Sequence, residues 1–151
     1  MIKRIRFTKS GYETVQKEYQ DLLAQRPAAV EDLKKARELG DLSENGYYKA
    51  SRARLSFIDS QLRRLSLALK QAVVVATASS DTIVIGSKVR LSFGDKEVSY
   101  EIVGDLEANP AEGKISLLSP LGKALEGKRV GEEVKIVTPI KTTKYKILEV
   151  S

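Results

Sequence analysis

The 151-residue chain contains no cysteine and no histidine. The first absence excludes disulfides and thiolate metal sites. The second removes the commonest general base and zinc ligand, and with it Ser-His and Cys-His catalysis. No apolar run approaches the ~20 residues that span a bilayer. The opening residues, Met1-Ile2-Lys3-Arg4-Ile5-Arg6-Phe7, are too short and too mixed for a signal peptide. A soluble, cytoplasmic chain with no membrane partner is expected. Its length allows one or two small domains with a modest core.

Positive charge is in excess, with a net charge of +6, and it is unevenly placed. Residues 1–78 hold 15 Lys+Arg against 9 Asp+Glu, whereas residues 79–151 hold 11 of each. An imbalance confined to one half suggests a polyanionic partner such as nucleic acid. A solubilising helix surface would give the same count.

The first half has helical periodicity. Thr8 is placed to cap a first helix. Tyr12, Val15, Tyr19 and Leu22 follow at spacings of three and four, which is a coiled-coil seam. Pro27 either kinks this helix or restarts it. The pattern resumes at Val30 and Leu33, and Leu39-Gly40 ends it. A second helix carries Tyr48, Ser51, Leu55, Ile58, Leu62, Leu65, Leu69 and Ala72 in the same rhythm. Two facing seams joined by a short tip predict an antiparallel coiled-coil hairpin. Arg37 and Ser51 stand at seam-like positions, so the core should thin toward the tip.

Val73-Val74-Val75 ends the helical period, and Ala76 to Ser80 is small and polar. This divides the chain into a helical domain (1–76), a linker (77–80) and a second domain (81–151). The second domain has strand periodicity at Lys88–Phe93, Val98–Val103, Lys114–Leu117, Glu133–Thr138 and Thr143–Val150. Gly94-Asp95 signals a hairpin turn. A short helix is expected at Leu121 to Leu125. The fold class is therefore α+β: a helical hairpin, then a small, mainly antiparallel sheet with one short helix. The sheet domain shows no catalytic spacing.

The tip joining the helices reads Gly40-Asp41-Leu42-Ser43-Glu44-Asn45-Gly46-Tyr47-Tyr48. Gly, Ser and Asn suit a turn. Ser43 is a candidate N-cap, with Glu44 in the first turn of the returning helix. Asp41 and Glu44 are either ordinary solvated acids or a carboxylate pair presented to a divalent metal. Mg²⁺ takes one or two carboxylates and keeps its waters, so a partner would have to supply the remaining ligands.

Ala36-Arg37-Glu38-Leu39-Gly40-Asp41-Leu42-Ser43-Glu44-Asn45 with Tyr48 resembles the tip motif of the bacterial Gre transcript cleavage factors (GreA/GreB), the GreA branch more than GreB. Ile102-Val103-Gly104, Ser119-Pro120-Leu121-Gly122-Lys123-Ala124-Leu125 and Val130-Gly131-Glu132-Glu133-Val134 resemble that family's C-terminal domain. The resemblance implies an antiparallel coiled coil followed by an FKBP-like domain. It implies a monomeric factor that binds RNA polymerase through its secondary channel and stimulates cleavage of the 3′ end of backtracked nascent RNA. The chain would be no enzyme on its own, and would bind no cofactor tightly in isolation. Asp41 and Glu44 would be the catalytic acids, holding Mg²⁺ jointly with the polymerase. Ser43 and Asn45 would support the tip. Arg37 and Arg52, with Lys34, Lys35, Lys49 and Arg54, would contact RNA, and Ser119 and Pro120 would dock on the polymerase.

The chain reads Asn45-Gly46-Tyr47-Tyr48 where the family usually has Asn-Ala-Glu-Tyr. That departure keeps open a regulator that plugs the same channel and inhibits without supporting cleavage. The FKBP-like resemblance also raises prolyl isomerase activity. The few aromatics available to line such a pocket, Phe93, Tyr100 and Tyr145, argue against it.

Overall fold

A computed structural model describes residues 3–40, 44–76 and 81–151. The chain forms two compact units, Met1–Tyr12 with Ala72–Ser151, and Glu13–Gln71. No helix among the described residues is long and apolar enough to cross a membrane.

The helical unit is built from α1 (Lys9–Arg37) and α2 (Gly46–Gln71). Three ion pairs between them set the direction: Arg64–Glu18 at 3.8 Å, Arg26–Asp59 at 2.6 Å and Arg54–Asp32 at 2.9 Å. As the position on one helix rises, its partner's falls, so the helices run antiparallel. The Arg26 hydrogen bond holds the Asp59 carboxyl below the usual carboxylate range. The pair is exposed, and such pairs add little to stability. Its value lies in register.

The α2 seam follows its sequence period, with Ser51, Ile58 and Leu65 buried. The α1 seam differs from expectation in its second part. Ala29, Leu33 and Ala36 are buried, whereas Val30 is 41% exposed. A seven-residue step from Leu22 reaches Ala29, so the heptad continues across Pro27 unbroken. Pro27 therefore does not restart the helix; it lies inside α1, and its ring is exposed. Arg37 is exposed, while Ser51 is buried. Near the tip the buried side chains are thus the small Ala36 and Ser51, and the core thins there as expected.

The sheet unit begins with a pair that the sequence period did not reveal. Strand β1 (Ile5–Phe7) runs parallel to β2 (Ala72–Val74), with Ile5 opposite Ala72 and Phe7 opposite Val74. Phe7 is fully buried and meets Tyr12 edge-on at 6.1 Å. Five further strands are β3 (Lys88–Phe93), β4 (Lys96–Val103), β5 (Lys114–Ser116), β6 (Glu133–Val137) and β7 (Thr142–Val150). They lie in the order β5-β4-β3-β7-β6. Only β4 and β5 are parallel; the other pairs are antiparallel. Helix α3 (Pro120–Leu125) contributes Leu125 to a core that includes Ile83, Leu91, Ile102 and Ile147. All five expected strands and the short helix are present, within two residues at each end.

The start of α1 is held from the sheet unit's own loop. Thr8 caps the helix as expected, its hydroxyl accepting from Gly11 N at 3.1 Å. That hydroxyl also donates to Glu107 at 2.5 Å. Glu107 Oε2 accepts from Thr8 N at 2.9 Å and Gly104 N at 3.0 Å. Asp105 accepts from Arg6 N at 2.7 Å and forms an ion pair with its guanidinium at 3.1 Å.

Candidate functional site

The tip lies between the end of α1 and the start of α2. The expectations for Asp41 and Ser43 fall outside the described residues, as does Leu42. Gly40 has φ of +100°, a conformation that glycine takes at little steric cost.

Helix α2 begins at Gly46, and Asn45 is its cap. The Asn45 Oδ1 accepts from Tyr48 N at 3.0 Å. Its Nδ2 donates to Ala36 O at 3.2 Å. The helix is thus capped from Asn45, and Glu44 precedes its first turn. The reason is chemical: asparagine can cap like serine, but its amide also donates to the facing helix. Asn45 thus joins the end of α1 to the start of α2. Asn45→Ala should destabilise the hairpin by about 1 kcal/mol. Amide exchange at Tyr48 would report it. Unchanged protection would show that the bridge carries no weight.

Glu44 is exposed and makes no ion pair with a described residue. Among the described residues, no group of three or more Asp or Glu gathers around a metal position. One carboxylate leaves most of a Mg²⁺ shell to other ligands.

The six basic candidates separate into different environments. Arg54 is paired with Asp32. Lys34 and Arg37 line an open groove of about 540 Å³ with Arg26, Val30, Leu33 and Leu55. Lys35 is exposed, as are Lys49 and Arg52, three residues apart on α2. None of these other five makes an ion pair with a described residue. Lys34, Lys35 and Arg37 also lie in the last turn of α1, where cations favour the helix dipole. Beyond the family's usual pattern, Tyr47 is 44% exposed, and a Cβ on Gly46 would meet nothing within 4 Å.

Ser119 and Pro120 are more than loop residues. Ser119 caps α3, its hydroxyl accepting from Gly122 N at 3.0 Å and donating to Ser116 O at 2.8 Å. Pro120 is the first helical residue, where a missing N–H costs nothing. Ser119→Ala should cost about 1 kcal/mol of stability in thermal unfolding. Any effect on docking must be read against that loss.

The sheet unit has an open cleft of about 350 Å³ lined by Lys88, Arg90, Tyr100, Glu101 and Glu149, among others. Tyr100 is its one aromatic wall residue, and Phe93 is packed on Tyr145 at 5.4 Å. This is not an aromatic cage for a prolyl side chain.

Residues 5–74 match the family described as transcription elongation factor, N-terminal, and residues 78–151 match transcription elongation factor, GreA/GreB, C-term. The chain is 40% identical to transcription elongation factor GreA of Thermodesulfovibrio yellowstonii over 156 residues, covering 100% of this chain and 99% of that one. It is 40% identical to GreA of Nitratiruptor sp. over 147 residues, covering 95% and 90%. Among solved structures, the transcription factor Gfh1 is similar with a TM-score of 0.50 and 27% identity, over 99% of both chains. Two family matches in the right order, on a helical hairpin followed by a five-stranded sheet unit, place this chain in the GreA/GreB family of transcription elongation factors.

Proposed function

We propose that the chain binds RNA polymerase through its secondary channel and stimulates cleavage of backtracked RNA at the 3′ end. The observation that carries this is the tip: an exposed Glu44, three residues after Asp41 in sequence, followed by Asn45, which joins the two helices. Bound Mg²⁺ would supply charge neutralisation at the attacking and leaving oxygens of phosphoryl transfer. Asp41 and Glu44 would hold it together with polymerase carboxylates and RNA phosphate. Asn45 would keep the two carboxylates at the end of the arm. Helix geometry would carry them into the channel, since α2 alone, at 26 residues and ~1.5 Å per residue, spans roughly 39 Å. The hydrolytic activity would be the polymerase's own. The factor would work as a monomer in the cytoplasm.

The deciding experiment is transcript cleavage by stalled elongation complexes with and without the factor. Faster release of 3′ fragments supports the proposal. Inhibited elongation without cleavage would support the channel-plugging alternative, which the exposed Tyr47 favours. No effect on either would reject both.

The basic residues make a further expectation testable. Arg37→Ala with Arg52→Ala should lower cleavage of longer backtracked RNA about tenfold, and most strongly at low salt, because at high salt the phosphate contacts are already screened by ions. Cleavage equal to the parent's at every salt concentration would show that these charges only solubilise the arm.

A further inference from the structure

Residues 79–151 are electrically balanced, yet positive charge is gathered on one hairpin. Residues 133–146 hold Lys135, Lys141, Lys144 and Lys146 against a single carboxylate, Glu133. Lys135 lies directly opposite Lys144, and Lys146 opposite Glu133. Strand alternation places Lys135, Val137, Lys144 and Lys146 on the face away from buried Val134. Like charges directly opposite are destabilising. None of the four lysines makes an ion pair among the described residues. Elsewhere on the same sheet Arg90 is paired with both Glu97 and Glu149.

A lysine on β6 alone would be explained by its edge position, since edge lysines block pairing with other chains. Lys144 needs another explanation, because β7 lies inside the sheet between β3 and β6. The turn adds an apolar element. Thr138 N and Oγ1 both donate to Lys141 O, at 2.9 and 2.8 Å. Lys141 N donates back to Thr138 Oγ1 at 3.1 Å. This fixed turn presents Ile140 at 93% exposure, three residues after Val137 at 71%.

We propose that the β6–β7 hairpin is a docking surface for an acidic protein surface that carries an apolar patch. It rests on the polymerase-binding function above and makes that partner a face of RNA polymerase. Unpaired lysines complement carboxylates and steer association. Ile140 and Val137 favour a protein over nucleic acid, because they would gain nothing beside hydrated phosphates. Helix α3 covers the other face of β6, where Leu125 and Val134 share the core, so the lysine face is left open.

The test measures affinity of the full chain for core RNA polymerase by competition, at low and high salt. The variants are Lys135→Gln with Lys144→Gln, and Ile140→Ser. All three positions are exposed, so the fold should hold. The lysine pair should weaken binding about tenfold at low salt and flatten its salt dependence. Ile140→Ser should weaken it about fivefold at every salt concentration. Maximal cleavage at saturating factor should stay at the parent's value. Parent-like affinity in both variants overturns the proposal. So does a loss of affinity for a duplex DNA probe with polymerase binding unchanged. If the parent chain itself fails to bind polymerase, the proposed function fails and the hairpin's role falls with it. Failure of the hairpin alone leaves parent binding and Glu44-dependent cleavage intact.

Discussion

Glu44→Ala, and equally Asp41→Ala, is expected to reduce stimulated cleavage about a hundredfold or more, while binding to polymerase changes by less than about twofold. The size follows from the role. Removing a group that stabilises transition-state charge typically costs about 10²–10³ in rate. Glu44 makes no ion pair with a described residue and precedes the first residue of α2, so its loss should leave the hairpin folded. Glu44→Gln is the sharper variant, since it keeps the shape and removes the charge. The measurement pairs single-turnover cleavage with competition binding on the same complexes. Cleavage at the parent's rate would remove the carboxylates from the mechanism. A loss of binding that matched the loss of cleavage would make the tip a docking element instead.

The second large effect is expected at a position with no part in that chemistry. Gly122 is buried in α3. A Cβ there would overlap Ser116 O and come within 2.8 Å of Leu117 Cα. Both obstacles are backbone, so neither can rotate away. Gly122→Ala should cost about 3 kcal/mol, lowering the Tm of the sheet unit by more than about 10 °C. Gly46→Ala is the control. A Cβ at that position meets open space, and alanine is the better helix former. Thermal unfolding should therefore leave it unchanged or slightly raised. Equal melting of Gly122→Ala and the parent would mean that α3 can lift from the β5 end without cost.

The long elements were legible because each repeats its signal many times. Seven steps of three or four along α2 leave little room for another period. The hairpin and the strands of the five-stranded sheet followed from such signals, and the short α3 from Ser119-Pro120 at its start. What escaped was carried by single residues or short pieces. Strands β1 and β2 have three residues each, too few to show an alternation. Ala72 also continued the helical rhythm of α2 while pairing with Ile5. Ala29 was passed over for Val30 because a small side chain gives a weak apolar signal, although a step of seven from Leu22 points to it. Glu107 reaches Thr8 across 99 residues of sequence, and no local pattern announces such a bond. At the tip, Asn45 could be placed near the turn by type alone. Choosing it over Ser43 as the cap required knowing that Ala36 O lies within reach of its amide. The metal role of Asp41 and Glu44 was suggested by residue type at a turn and sharpened by family resemblance; spacing alone left it undecided.

The β1–β2 pair has a consequence for the order in which the protein is made. Strand β1 leaves the ribosome ahead of α1, but its partner β2 follows only after the whole helical hairpin has been synthesised. At ~5–20 residues per second, Phe7 waits several seconds before Val74 exists to pair with it. The partners of its neighbours, Glu107 for Thr8 and Asp105 for Arg6, come later still. The arm can form from local contacts during that interval, while the sheet unit stays open until β7 has been synthesised. A nascent chain of this protein therefore presents a folded helical hairpin flanked by an unsatisfied apolar strand. For the same reason, a fragment beginning at residue 79 lacks Phe7 and both short strands, and should be recovered in lower yield than the full chain.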